Sequence, residues 1–189
     1  MPQKLDVRPH HRVHTPNQPF GLNTMLQLRW QPDTDGTGEL FAYVQRGRYS
    51  GEGSARFHNR ELEDFGKRLR DTFPLIPGST LSLLGGYWKS GSSPPVLEDV
   101  LVGISVYPVG PNGVVGVKVD VMDGYYERQR QESRAQLRLE LLTDYEPLRE
   151  LGNGIIRLLH SPGATASLPA YGQAVRPAEE DANLDGDND

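Results

Sequence analysis

Hydrophobic and polar residues alternate along several short stretches of the chain. In "MLQLRW", Leu26, Leu28 and Trp30 fall on one side of an extended backbone, and Gln27 and Arg29 fall on the other. This period of two predicts a half-buried strand. The same pattern predicts six further strands, in "ELFAYVQRG", "SARFH", "STLSLLGGYW", "VLEDVLVGISVYPV", "GVVGVKVDVMD" and "RAQLRLELL". The short turn clusters between them, such as "GPNG", favour antiparallel hairpins.

A helical period replaces this alternation in two places. After Asn59, which we expect to cap the first helix, apolar residues recur at helical spacing at Leu62, Phe65, Leu69 and Phe73. Acidic residues come early in this stretch and basic residues come late, which complements the helix macrodipole.

The second helix is predicted to begin at Thr143, because Thr143 and Glu146 have the spacing of a capping box. Gly152 and Gly154 lie within it, and each weakens a helix by roughly 1 kcal/mol. Packing must therefore hold this helix in place. Its apolar positions are Leu148, Leu151 and Ile155, together with Leu158 or Leu159.

The resulting order βββ-α-ββββ-α predicts a single α+β domain. We expect a mostly antiparallel sheet of about six to seven strands, with the two helices packed on its one dry face. Residues 25–160 form this domain. Residues 1–24, rich in Pro, His, Asn and Arg, are predicted to be a flexible leader, and a protein start at Met25 would give a cleaner domain. Residues 161–189 are predicted to be a disordered acidic tail.

Composition narrows the classes of function. The chain has no cysteine, which removes disulfides, thiol nucleophiles and thiolate metal sites. It has neither an apolar run long enough to span a membrane nor an apolar signal core, so we expect a cytoplasmic protein without membrane contact. The net charge of −5 resides in residues 161–189, and the rest of the chain is balanced. Nucleic-acid binding is therefore disfavoured.

No catalytic motif or cofactor signature stands out, and we expect neither catalytic residues nor a cofactor. Two acidic stretches have a faint resemblance to metal loops. In "DTDGTGE", residues 33–39, a plain hairpin turn is the favoured interpretation. The terminal "DANLDGDND" begins like a calcium loop but ends before the glutamate that such a loop needs at its twelfth position. We therefore favour a solvated tail. Its candidate ligands are Asp181, Asn183, Asp185, Asp187 and Asp189.

Aromatic and basic side chains in predicted loops are the candidates for binding a partner. Tyrosine, tryptophan and arginine are the residues that most often supply binding energy at protein interfaces. For Trp88, the alternative is that it packs beneath a helix as part of the core. The candidates, from "RGRY", "GGYWKSGSSPP" and "GYYERQR", are Arg48, Tyr49, Tyr87, Trp88, Lys89, Tyr125, Tyr126 and Arg128.

The succession "MLQLRW", "SGEGSARFHNRELEDFGKRL", "LLGGYW", "LEDVLVGISVYPVG", "GVVGVKV" and "LLTDYEPL" over residues 25–160 resembles small bacterial immunity proteins of the WapI type and related uncharacterised families. The resemblance lies in element order and hydrophobic texture. It implies a cytoplasmic protein that binds and blocks a cognate toxin domain, and it transfers no site residues.

Three hypotheses follow from these observations. The leading one is a non-enzymatic protein-binding domain that neutralises a toxin, whose acidic groups would mimic nucleic acid if the toxin were a nuclease. The second is a small enzyme or ligand-binding domain with its site on the open face of the sheet. The third is a subunit of a larger assembly.

Overall fold

The computed structural model describes residues 24–94, 96–110, 113–124 and 130–169, and it shows an α+β fold with antiparallel sheets, as predicted. In chain order its helices and strands are β1 (Thr24–Pro32), β2 (Thr37–Arg46), β3 (Tyr49–His58), α1 (Asn59–Asp71), β4 (Leu81–Trp88), β5 (Leu97–Pro108), β6 (Val115–Met122), β7 (Gln136–Thr143), α2 (Tyr145–Leu158) and β8 (Thr165–Pro169). A short 3₁₀ helix, Gln131–Ser133, precedes β7.

The strands divide between two sheets of four, whereas the sequence analysis expected one sheet of about six to seven strands. Sheet A has the order β3-β2-β1-β8 and sheet B the order β4-β5-β6-β7. The additional strand, β8, lies inside the segment 161–189 that was expected to be a disordered tail. It pairs with β1, and Ala166 and Leu168 are buried there. The folded part therefore extends past residue 160 and includes β8.

The two sheets arise from a repeated βββαβ unit. The first unit runs from β1 to β4 and the second from β5 to β8, each with its helix before the last strand. The last strand of each unit leaves its own unit and pairs with the first strand of the other, so β4 pairs with β5 and β8 with β1. Neither unit can complete its sheet alone, and the fold is a single structural unit.

Glycine marks the point where the two helices meet. Gly66 and Gly152 each lie seven residues after the first residue of their helix. A Cβ atom added to Gly152 would lie 2.6 Å from the carbonyl oxygen of Gly66, and one added to Gly66 would lie 3.0 Å from that of Gly152. Only glycine permits this backbone contact. The packing that the second helix needs is thus supplied by the first helix.

The helix starts differ by one or two residues from the predicted ones. The residue capping α1 is His58 rather than Asn59, and its backbone N–H donates a hydrogen bond of 2.7 Å to the Glu61 carboxylate. The cap of α2 is Asp144. Thr143 is instead the last residue of β7, where its side chain is buried. Strand pairing at Thr143 overrides the capping-box spacing there.

One continuous core joins the sheets and helices. The inner face of β3 lies against sheet B, where a Cβ added to Gly53 would lie 2.8 Å from the carbonyl oxygen of Leu101. Because β3 has glycine at this position, the backbones of β5 and β6 can approach it closely. The helices fill the space beside β8 and β4. The predicted apolar positions Leu62, Phe65 and Leu69 are all buried.

Candidate functional site

Two of the predicted binding residues, Tyr87 and Trp88, lie exposed at the end of edge strand β4. The side chain of Trp88 is 55% exposed and that of Tyr87 is 40% exposed, whereas Trp30 is 4% exposed in the core. The alternative that Trp88 packs beneath a helix is therefore wrong. The β4–β5 pairing shifts register twice, between Gly85 and Gly86 and between Tyr87 and Trp88. This end of β4 is therefore irregularly paired.

Two further apolar side chains are exposed, Leu84 in the same strand and Val96 in the turn that follows it. Val96 is 50% exposed and Leu84 is 44% exposed. We call Leu84, Tyr87, Trp88 and Val96 the Trp88 surface. Lys89, also a predicted binding residue, closes the turn between β4 and β5, since its backbone N–H donates to the carbonyl oxygen of Val96 at 2.8 Å. The turn therefore holds Val96 next to Trp88.

Arg48 and Tyr49 lie at a different edge. Arg48 lies in the turn after β2, and Tyr49 is the first residue of β3. The Arg48 guanidinium lies over the Tyr49 ring, 5.5 Å from the ring centroid. Arg46, just before them, donates a hydrogen bond of 2.8 Å to the backbone carbonyl of Glu140 in β7. Because β4 and β7 are opposite edges of sheet B, the structure does not bring Arg48 and Tyr49 together with Trp88.

Several predicted residues lie outside the described part of the chain. They are Tyr125, Tyr126 and Arg128 among the binding candidates, and Asp181, Asn183, Asp185, Asp187 and Asp189 in the tail. The residue that precedes Tyr125 is placed. A Cβ added to Gly124 would lie 3.8 Å from the hydroxyl of Tyr87, so the chain enters this segment beside the Trp88 surface.

The outer face of sheet A holds a groove that the sequence analysis did not assign to particular residues. Its floor is formed by two neighbouring rows of outward-facing side chains. One row places Arg29 beside Phe41 and Ser54, and the next places Gln27 beside Tyr43 and Glu52. The signal was present in the sequence, because these residues occupy the wet positions of the predicted strands. The pattern within a single strand does not reveal that pairing of β1, β2 and β3 brings these residues side by side.

Two other segments wall the groove. Thr165 of β8 extends the Arg29 row on one side, and residues 122–124, at the end of β6, pass the edge of β3 on the other. The close approach of β6 to Gly53 makes this second wall possible, because the backbone nitrogen of Met122 would lie 3.2 Å from a Cβ at that position. The groove is open to solvent along one side, and its volume is about 640 Å³, within the range of small-molecule sites.

Charged side chains in the groove have few partners within the protein. The Arg29 guanidinium lies over the Phe41 ring, 5.0 Å from its centroid, and forms no ion pair with the residues that the structure describes. Glu52, in the neighbouring row, accepts no hydrogen bond from the described part of the chain. The Asp123 carboxylate accepts one, of 3.2 Å, from the backbone N–H of Ala135. These groups remain available to a ligand.

The outer face of sheet B has the opposite character. Arg138 donates to the buried Asp120 carboxylate beside it, and the Tyr107 hydroxyl donates to Glu140 at 2.5 Å. This hydrogen bond and partial burial raise the pKa of Tyr107 to about 12. These four polar groups satisfy one another across the strands.

A largely buried ion pair joins the chain just before β7 to strand β5. Arg134, whose side chain is 6% exposed, donates to the Asp99 carboxylate at 2.9 Å. Asp99 is the strand partner of Tyr87. The pair thus links Arg134, just after the 3₁₀ helix, to the residue of β5 that pairs with Tyr87.

The acidic stretch at residues 33–39 is a hairpin turn between β1 and β2, as predicted. Arg56 of β3 lies between two of its carboxylates, 2.7 Å from Asp33 and 3.5 Å from Asp35. The Thr37 hydroxyl, which donates to Asp35 at 2.5 Å, lowers the pKa of Asp35. The acidic groups of this stretch thus stabilise the turn through contacts with Arg56 and Thr37.

Within the described residues, no group of three or more His, Asp or Glu side chains is arranged to hold a metal ion. Neither of the two described α-helices is both long and apolar enough to cross a bilayer.

Comparisons with protein-family models, with curated proteins and with solved structures found no match to this chain.

Proposed function

We propose that this protein is a non-enzymatic binding domain that recognises another protein through the Trp88 surface. The observation that supports it most is the exposure of Trp88 and Tyr87 at the end of an edge strand. A large aromatic side chain in water forgoes the stabilisation that burial would give, about 1.5–3 kcal/mol for side chains of this size. Exposed aromatic clusters of this kind mark interaction sites.

The composition and position of β4 favour a protein partner. Its sequence, "LSLLGGYW", holds no charged residue, and among the described strands it pairs only with β5. Edge strands that avoid intermolecular contact usually display lysine, other charges or proline. An apolar edge beside exposed aromatic side chains suits a partner that contributes an apolar surface. Adjacent polar loops would form the rim of such an interface.

The resemblance to WapI-type immunity proteins suggests the class of partner, a toxin domain that this protein would neutralise by covering its active surface. Binding alone suffices for this mechanism, so no catalytic group is needed on this chain. A stable complex of standard size buries about 800 Å² on each partner. The Trp88 surface would form the centre of that area, and Gly124 lies beside it.

The full chain is the appropriate bait, because a fragment ending at residue 160 would lack β8. Lysate of the source organism is passed over wild-type protein, the Trp88→Ala variant and the Ile76→Ala variant. Ile76 is a matched control, since it is 74% exposed but lies in the connection between α1 and β4. We expect one partner that wild-type protein and Ile76→Ala retain and that Trp88→Ala binds at least about 30-fold more weakly.

A second step identifies the function of the complex. The captured partner is produced alone and together with each variant in a test strain. We expect the partner to stop growth, wild-type protein and Ile76→Ala to restore it, and Trp88→Ala to restore it poorly. A harmless partner would contradict the immunity function while leaving protein binding intact. Equal capture by all three proteins would contradict binding through the Trp88 surface.

A further inference from the structure

The groove on the outer face of sheet A separates opposite charges. Arg29 lies in β1, beside the β8 wall, whereas Glu52 lies in β3 and Asp123 follows β6 on the far wall. None of these three side chains forms an ion pair with the described residues. A cation at one side and two carboxylates at the other form a site of defined polarity. A ligand that fits must carry an anion at one end and a cation at the other.

The floor between these charges is aromatic. Phe41 and Tyr43 occupy alternate positions of β2, the strand between β1 and β3. The Phe41 ring already supports the Arg29 guanidinium, which fixes the direction of that group. The Tyr43 hydroxyl donates to Gln45 at 3.0 Å, which holds its ring in place. The middle of the ligand therefore contacts ring surface and is apolar.

The strand spacing sets the length of the ligand. Arg29 and Glu52 are two strands and one pleat repeat apart, which places their Cα atoms roughly 12 Å from each other. Both side chains can lean into the groove, so the charges that they hold lie several ångströms apart. A free α-amino acid, with both charges on one carbon, is too short. An extended dipeptide spans about 7 Å.

From these three features we propose that the groove binds a dipeptide-sized zwitterion. Its carboxylate pairs with Arg29, its apolar side chains lie on Phe41 and Tyr43, and its ammonium group lies between Glu52 and Asp123. Arginine is suited to the carboxylate end because its planar guanidinium can bind both oxygens at once. This inference does not depend on the Trp88 surface having a protein partner.

The test is a titration of the full-length, isotope-labelled protein with alanyl-leucine, followed by NMR. We expect saturable shifts at Arg29, Tyr43 and Glu52. Three matched probes separate the contacts: N-acetyl-alanyl-leucine lacks the cation, alanyl-leucine amide lacks the anion, and leucine lacks the length. Each should bind at least about tenfold more weakly than alanyl-leucine, because each loses one charge-assisted contact or its reach.

Variants assign each charge to its residue. In Arg29→Gln, the free dipeptide and its amide should bind equally. In Glu52→Gln, the ammonium contact weakens, and the advantage of the free amine over the acetylated probe should shrink. Arg56→Gln is the control, because Arg56 lies on the same face of sheet A, is held by Asp33 and Thr37, and does not line the groove. It should bind every probe as the wild-type protein does.

Three results would overturn the proposal. The first is that alanyl-leucine causes no saturable shift up to its solubility limit. The second is binding that acetylation or amidation leaves unchanged. The third is a loss of binding in Arg56→Gln equal to that in Arg29→Gln, since this would show a general charge effect rather than a site.

Discussion

Sheets A and B are built from equivalent strands in the same order, but their outer faces differ. On sheet B, Arg138 pairs with Asp120, and Tyr107 with Glu140. On sheet A, the corresponding central area holds a groove, with Arg29 unpaired among the described residues. The repeated unit thus presents paired charges at the centre of sheet B and, at the centre of sheet A, Arg29 and Glu52 without ion pairs among the described residues.

The difference has consequences for stability and for the proposed ligand binding. A polar group that is paired within the fold adds to the free energy of unfolding, and its loss leaves a buried partner unsatisfied. A solvated, unpaired group adds little to stability but can bind a ligand. We therefore expect substitutions near sheet B to lower stability and substitutions in the sheet A groove to leave it nearly unchanged.

The largest effect is expected at the buried ion pair beside Tyr87. Asp99→Asn takes from the buried Arg134 guanidinium its carboxylate partner, and the free energy of unfolding should fall by about 2–3 kcal/mol. The value lies below that of a fully buried pair because Asp99 is 26% exposed. Urea unfolding measures it. Glu98→Gln, an exposed neighbour, should change stability by less than about 0.5 kcal/mol. Equal decreases in the free energy of unfolding of the two variants would show that the Arg134–Asp99 ion pair does not stabilise the fold.

The helix crossing tests whether the two halves share one scaffold. Glycine to alanine within a helix normally stabilises it by roughly 1 kcal/mol. At Gly152 the added Cβ meets the Gly66 carbonyl oxygen, so we expect Gly152→Ala to lower the free energy of unfolding by about 2 kcal/mol. Asn153→Ala, one position away, should be neutral or slightly stabilising. A stabilised Gly152→Ala variant would contradict the close helix contact.

The smallest effect concerns the pH dependence of sheet B. Tyr107 has a pKa of about 12 in the folded protein, above its ordinary value of 10.0. Because folding raises this pKa, the stabilisation is complete below pH 10 and is lost as the pH rises from 10 to 12. Phenolate absorbance of wild-type protein minus that of Tyr107→Phe isolates the transition. We expect Glu140→Gln to move its midpoint towards 10, and a wild-type midpoint near 10 would contradict the hydrogen bond.

Local patterns allowed most of the secondary structure to be predicted. Period-two alternation in "MLQLRW" and helical spacing from Leu62 to Leu69 each arise from one element facing one core, and such patterns survive in a single sequence. β8 was missed because "TASLP" is too short for its alternation to stand out and is surrounded by Pro, Ala and Ser.

The arrangement of the sheets needed information that no single element contains. The exchange of last strands between the repeats depends on pairing between β1 and β8, which are far apart in the chain. One internal signal was available, because Leu62, Phe65, Gly66 and Leu69 of α1 recur as Leu148, Leu151, Gly152 and Ile155 of α2. That recurrence marks the repeat, but it does not specify the exchange.

The candidate site was predicted only in part. Their position before a polar loop made Tyr87 and Trp88 binding candidates, but burial of Trp88 beneath a helix was the alternative, and only the structure decides between the two. The separation of Arg48 and Tyr49 from Trp88 could not be predicted, because it depends on how the β2–β3 hairpin crosses to β7. Likewise, the groove combines residues of five strands or strand ends, and only their register places Arg29 diagonally across the groove from Glu52.

One measurement tests the contrast between the sheets most directly, the free energy of unfolding of two charge-matched double variants. Arg29→Ala with Glu52→Ala removes one cation and one anion from sheet A, and Arg138→Ala with Glu140→Ala removes the same charges from sheet B. We expect a loss of about 2 kcal/mol or more for sheet B, where buried Asp120 loses its partner. For sheet A we expect a loss below about 1 kcal/mol. Equal losses, or a larger loss in sheet A, would contradict the account.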